Sequence, residues 1–268
     1  MTADPNPAIL AVARQNTPPP PNAEQPAASA ATEELSSRTV VLDPAHGGAD
    51  FGARGPTGLA ESDVVLDFAR AARIALEAQR IRVLLTREGN QDPSFNDRSA
   101  LVNGLYNAVF ISLHVSSGGP VGTARAYYYL FPGSPGPNLS PSAAISAPQG
   151  SAAVPASQNA APSSAARAGS LVEWDHAQQG SIDLSHQLAA FVQTELLHRF
   201  KGSPEMPIAA PVRQLRTIAA PAIAIEISSI DVTDAKRLDQ MAQPLAEAIG
   251  RAVAEFPPPP APASSGAH

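Results

Sequence analysis

The sequence predicts an α/β fold, a single domain with a mostly parallel mixed sheet flanked by helices. Three observations carry this expectation. Short apolar runs alternate with segments of helical period, strand, helix, strand, helix, strand, between residues 38 and 114. The helical period and strand-like runs return between 181 and 256. Of the 28 prolines, seven lie in 1–37, seven in 131–170 and five in 257–268, so the remainder is left free to form one core.

Taken in order, RTVVLDP (38–44) is a short apolar run closed by Pro44 and the pair Gly47 and Gly48, the pattern of a buried strand. GLAESDVVLDFARAARIALEAQR sets Val65, Phe68, Ala69, Ala72 and Leu76 on one face, so 61–80 reads as an amphipathic helix. IRVLLTR follows as a strand and DRSALVNGLYN as a short helix. AVFISLH (108–114) is another apolar strand, ending on a histidine. TARAYYYLF (123–131) is strand-like, its tyrosines expected at a sheet edge. A Pro/Ala/Ser stretch comes next, longer than a compact domain carries without a use for it. In SIDLSHQLAAFVQTELLHRF the residues Leu184, Leu188, Val192 and Leu196 form a helical stripe. PVRQLRT and AIAIEI read as two more strands. A last helix within 233–256 carries Leu238, Met241, Leu245, Ile249 and Val253, with Pro244 expected to kink or restart it.

Composition narrows the function. A formal charge of −6 without a basic cluster, and 5% aromatic residues, argue against nucleic acid as a partner. With no cysteine there are neither disulfides nor thiolate metal sites. No run reaches the ~18 apolar residues of a membrane span. MTADPNPAILAVARQ shows no basic start or long apolar core of a secretion signal. Residues 1–37 and 257–268 are expected to be disordered tails, and 131–170 a low-complexity insertion into one domain over 38–256.

Three polar residues share one description. His46 follows the first strand, His114 ends the third, and Glu226 ends the last apolar strand. In open α/β sheets ligands bind outside the carboxyl ends of the strands, so parallel strands would bring the three together. Singly, each has a plainer explanation: a histidine after a strand is more often structural, and a strand-end glutamate turns to solvent about as often as not. Together, two histidines and a carboxylate form the ligand set of hydrolytic zinc sites.

The run VVLDPAHGGADFGARGPTGLAESDVVLDFA, then TRE, DRSALVN, VFISLHVSS and PAIAIEIS in that order, resembles the zinc-dependent N-acetylmuramoyl-L-alanine amidases of bacterial cell walls. The resemblance spans essentially the whole foldable core and implies the phosphorylase/hydrolase-like form of the α/β fold. It implies zinc held by His46, Glu61 and His114, with Glu226 as the catalytic glutamate. Glu61 enters only through the resemblance, because acidic residues are favoured in any first helical turn. The implied reaction is hydrolysis of the amide between N-acetylmuramic acid and the L-alanine of the stem peptide in peptidoglycan. Zinc would act there as Lewis acid and Glu226 as proton carrier. Three departures bear on substrate contacts: Ala45 where the family usually has glycine, Ser116 where it usually has asparagine, and ISSID where a glycine–phenylalanine pair usually follows the glutamate.

Further expectations attach to single residues. Arg213 and Arg216, before the last strand, could grip a stem-peptide carboxylate, although surface arginines are the commoner case. Ser116 is a candidate substrate contact. Asp43 could orient His46 from behind, or serve as an ordinary strand-end turn residue. Division-associated relatives carry an inserted helix that blocks the zinc site with a glutamate until a partner protein displaces it. Here SLVEWDHAQQ offers Glu173 and His176 as such plugs, against the simpler reading of a loop. The implied substrate would put the protein in the periplasm or cell envelope; separately, a monomer is expected. The rival readings are a non-catalytic peptidoglycan-binding module on the same fold and a zinc peptidase acting on another amide.

Overall fold

A computed structural model describes residues 38–131, 174–231 and 236–257. The expected N-terminal tail, the expected C-terminal tail apart from Pro257, and the expected insertion apart from Phe131 lie outside the described residues. Among the described residues the strands are β1 (Thr39–Pro44), β2 (Arg82–Leu85), β3 (Ala108–Ser116), β4 (Thr123–Tyr129), β5 (Ile208–Ala210) and β6 (Ala222–Ser228). The α-helices are α1 (Glu61–Ala78), α2 (Phe95–Asn103), α3 (Ile182–Arg199) and α4 (Lys236–Glu255).

The strands form one mixed sheet in the order β2-β1-β3-β6-β4-β5. β2, β1, β3 and β6 run parallel, and β4 lies antiparallel to β6. The apolar runs form its centre because a strand covered on both faces needs apolar residues at every position. Strand alternation divides them into two cores. Val40, Leu42, Ile111, Leu113, Ile223 and Ile225 join residues of α1, α3 and α4 in the larger one. Val41, Phe110, Ala222 and Ala224 join Val102, Leu215 and Ile218 in the smaller one.

β4 is not at the edge. Its three tyrosines are buried, Tyr128 packing against His186 with ring centroids 4.7 Å apart and Tyr129 edge-on to Phe131 at 4.8 Å. The three-residue β5 takes the outer position. PVRQLRT is not a strand either. Pro211 has no N–H to offer the ladder, so the chain leaves the sheet there and makes a 3-10 turn over Arg213–Leu215, anchored by the fully buried Leu215. α4 passes through Pro244 as one helix. The carbonyl that Pro244 leaves without its helical donor belongs to Gln240, an exposed residue, where water can satisfy it.

Local signals set other boundaries. Ser94 caps α2 through a reciprocal box with Asp97, which starts the helix two residues before the DRSALVN run. At the other end of the fold, the buried Arg38 donates to the carbonyls of Val253 (2.8 Å) and Phe256 (2.6 Å), closing the last turn of α4 against the entry to β1.

Candidate active site

The site grows from the carboxyl ends of β1, β3 and β6. After Pro44 the chain turns sharply, and His46 takes a left-handed conformation (φ 63°), which costs a non-glycine residue about 1–3 kcal/mol and must be imposed by its surroundings. Those surroundings are two arginines. Arg87 donates to the carbonyls of Pro44, Ala45, Ser62 and Gly89, and Arg98 to those of Pro44 and His46. The TRE and DRSALVN segments therefore act as a clamp on the histidine loop. Gly52 (φ 63°) lets that loop pass over the site: a Cβ there would lie 2.5 Å from Glu61 Oε2 and 2.6 Å from His46 Cδ2.

Glu61, the first residue of α1, is buried at the centre. Its Oε1 accepts from the Val115 amide (3.0 Å) and faces His114 Nδ1 (3.1 Å). Its Oε2 accepts from the Ala53 amide (2.8 Å) and faces His46 Nε2 (3.2 Å). Burial alone would raise its pKa, but the hydrogen bonds and charges of the two imidazoles outweigh that and hold the carboxyl well below the usual range. His46 responds in kind. Burial would lower its pKa, yet Glu61 and Asp50 raise it to about 9. One donor atom from each of His46, Glu61 and His114 lies within 4.8 Å of the others.

This arrangement fits a metal ion. Nδ1 of His46 is engaged by Asp50 Oδ2 at 2.8 Å, and Nε2 of His114 faces Gln214 at 2.9 Å and Ser112 Oγ at 3.3 Å. The ring nitrogens that point inward are thus the two that face Glu61. Beside them a cleft of about 280 Å³ opens, lined by His46, His114, Asp50, Phe95, Arg98 and Gln214 among others.

Glu226 sits in register with His114 on the neighbouring strand, so both side chains leave the same face of the sheet. Its carboxylate accepts from Tyr127 Oη (3.3 Å) and lies 3.9 Å from Arg125, its register partner on β4. Burial pushes its pKa above the ordinary glutamate value, with Arg125 and the Tyr127 hydrogen bond opposing.

The family model described as N-acetylmuramoyl-L-alanine amidase matches residues 40–255. The chain belongs to this family. Among curated relatives, the sporulation-specific N-acetylmuramoyl-L-alanine amidase of Bacillus subtilis is 40% identical over 98 residues, 36% of this chain and 38% of that relative's own length. Two solved amidase structures share the fold. That of the N-acetylmuramoyl-L-alanine amidase from Clostridium difficile 630 has a TM-score of 0.55 at 22% identity, covering 81% of this chain and 95% of the other. That of the CwlD amidase from Clostridioides difficile, in complex with the GerS lipoprotein, has a TM-score of 0.56 at 16% identity, covering 81% and 97%.

Other candidate residues of this amidase-family chain lie as follows. Asp43 does not orient His46; its buried carboxylate accepts from Thr86 (2.6 Å) and Ser112 (2.8 Å) and pairs with Arg98, while Asp50 holds His46. Arg213 does not itself line the cleft; it lies over the ring of Phe95, which does, 5.1 Å from its centroid. Arg216 is instead paired with Asp175 at 2.9 Å and does not line the cleft. Ser116 donates to the Gly118 carbonyl (2.7 Å) and lies 3.3 Å from Ser228 Oγ. Glu173 lies outside the described residues. His176 is no plug here: its ring stacks on Phe131, 5.3 Å between centroids. Asp50, Gln214, Arg125 and Tyr127 were not singled out by the sequence. Only Asp50, four residues after His46, carried a local signal.

Proposed function

We propose that this chain is a zinc-dependent N-acetylmuramoyl-L-alanine amidase, cleaving the amide between N-acetylmuramic acid and L-alanine in peptidoglycan. Residues 38–256 form its catalytic domain, with 131–170 an insertion and the two Pro-rich ends as tails. The observation that carries the reading is the register pairing of Glu226 with His114, which sets a proton-carrying carboxylate beside the His46–Glu61–His114 cluster. These three residues would hold the ion, and a bound zinc supplies Lewis acidity toward a water and the scissile carbonyl.

Glu226 supplies the proton transfer. It takes a proton from the attacking water as the oxygen joins the carbonyl carbon, and returns it to the amide nitrogen as the C–N bond breaks. Burial suits it to this, because a carboxylate whose charged form is destabilised accepts a proton more readily. Tyr127 and Arg125 keep the carboxylate aimed. Arg213, stacked over the cleft-lining Phe95, and Ser116, two residues after His114, are the substrate contacts. Peptidoglycan lies outside the cytoplasm, so the protein would act in the periplasm or cell envelope, and a protein activator is part of the same reading.

Metal content measured together with digestion products tests the reading. One zinc per chain and intact stem peptides freed from glycan strands are expected. Zinc with products cut within the stem would make the protein a peptidase; zinc with no products would make it a binding module.

A further inference from the structure

We infer that Gln214 is the positioning residue of His114: its side-chain carbonyl oxygen accepts the Nε2 proton and so fixes the tautomer that offers Nδ1 to the metal. This rests on the metal reading above. A histidine ligates through a nitrogen without a proton, so the other ring nitrogen must donate to something. For His46 that acceptor is Asp50. For His114 it has to be found among Ser112 and Gln214.

The proton positions follow from Asp43. Paired with Arg98 and buried, this carboxylate only accepts, and at 2.8 Å it takes the single hydroxyl proton of Ser112. Ser112 Oγ, 3.3 Å from His114 Nε2, has then only lone pairs to offer, which puts a proton on Nε2. The structure sets the amide nitrogen of Gln214 2.9 Å from the same nitrogen, where an acceptor is needed. With the amide nitrogen on that side, two N–H groups would oppose each other. A half-turn of the amide, which exchanges two atoms of nearly equal size, sets the oxygen there.

The placement of Gln214 is built. It rides on the 3-10 turn that Pro211 forces out of the sheet, pinned by Leu215 beneath it. The two histidines are therefore braced unequally, His46 by a carboxylate and His114 by a neutral amide backed by the Asp43–Ser112 relay.

The test is zinc affinity by competition with a chromophoric chelator, for the wild type and three variants. Gln214→Leu, with no acceptor, is expected to bind zinc about 10–100-fold more weakly. Gln214→Glu, which can accept but not donate, is expected to bind as the wild type does. Gln214→Lys, which only donates, is expected to weaken binding and keeps the contrast available should the leucine variant fail to fold. In zinc-loaded, 15N-histidine-labelled protein the Nε2 proton of His114 is expected to be protected from exchange in wild type and Gln214→Glu, and lost in Gln214→Leu. Equal affinities across the set, or a Glu variant as weak as the Leu variant, would overturn the inference while leaving the zinc site standing. A wild type that takes up no zinc would overturn both.

Discussion

On one face of the sheet Leu42, Ile111, Leu113 and Ile225 lie beneath three long helices; on the other, one residue along the same strands, stand Asp43, Ser112, His114 and Glu226, of which Asp43 and His114 line a cleft. The helix-covered face is apolar and almost wholly excluded from water. The opposite face begins as a core too, with Val41, Phe110 and Ala224, and turns polar only toward the strand ends, where the short α2 and the 3-10 turn leave it open. Period-two alternation lets one set of strands do both. The difference teaches where each kind of damage should appear. Every polar side chain at the site has a partner, so the fold tolerates a buried carboxylate, an arginine and two histidines on one side while the other side supplies the cohesion.

Substitutions can break that division of labour. The largest effect is expected from His114→Ala, which removes one of three donors: zinc and all hydrolysis should be lost, and a variant that keeps stoichiometric zinc under mild chelation would refute the ligand set. Next comes Glu226→Gln, which preserves volume but cannot take a proton. It should fold, retain zinc and turn over at least ~100-fold more slowly. A metal-free but folded Glu226→Gln would make Glu226 a ligand instead. On the opposite face, Leu42→Ala should cost about 2–5 kcal/mol in denaturant unfolding, with turnover per folded molecule unchanged. Were zinc affinity to fall with it, the two faces would not be separable.

The smallest effect concerns pH. The base form of Glu226 exists only above its pKa, which burial raises, so the acid limb of the rate profile should lie above the ordinary glutamate range. Arg125 opposes that rise. Arg125→Met should therefore move the limb to higher pH, with zinc content unchanged. A limb that stays put, or moves down, would show that Arg125 does not act on Glu226.

What could be read in advance follows the same division. β1, β3 and β6 were legible because strands buried on both faces are written as unbroken apolar runs, and His46, His114 and Glu226 stand where those runs stop. Glu61 was not legible from its own surroundings, since a first-turn carboxylate is ordinary; only the motif order marked it. For Asp43 the sequence leaves a role behind His46 and an ordinary turn residue both open, because three residues of separation say nothing about direction. Asp43 follows the pleat toward Ser112, whereas the left-handed turn at His46 swings its ring toward Asp50. Gln214 could not have been found at all without knowing that Pro211 ejects the chain into a turn, which brings a residue a hundred positions away against His114. The β4 tyrosines were misplaced at an edge because their hydroxyls suggested solvent, while Tyr127 directs its hydroxyl to Glu226 inside the sheet's own face.

The guanidinium of Arg38 joins the first strand to the last helix, so the described backbone is nearly a ring with its gap bridged at that residue. The same proximity makes the unit permutable: a short covalent link from 257 back to 38 could replace the bridge, and new ends could be opened at an exposed turn such as 118–122, on the far side of the gap.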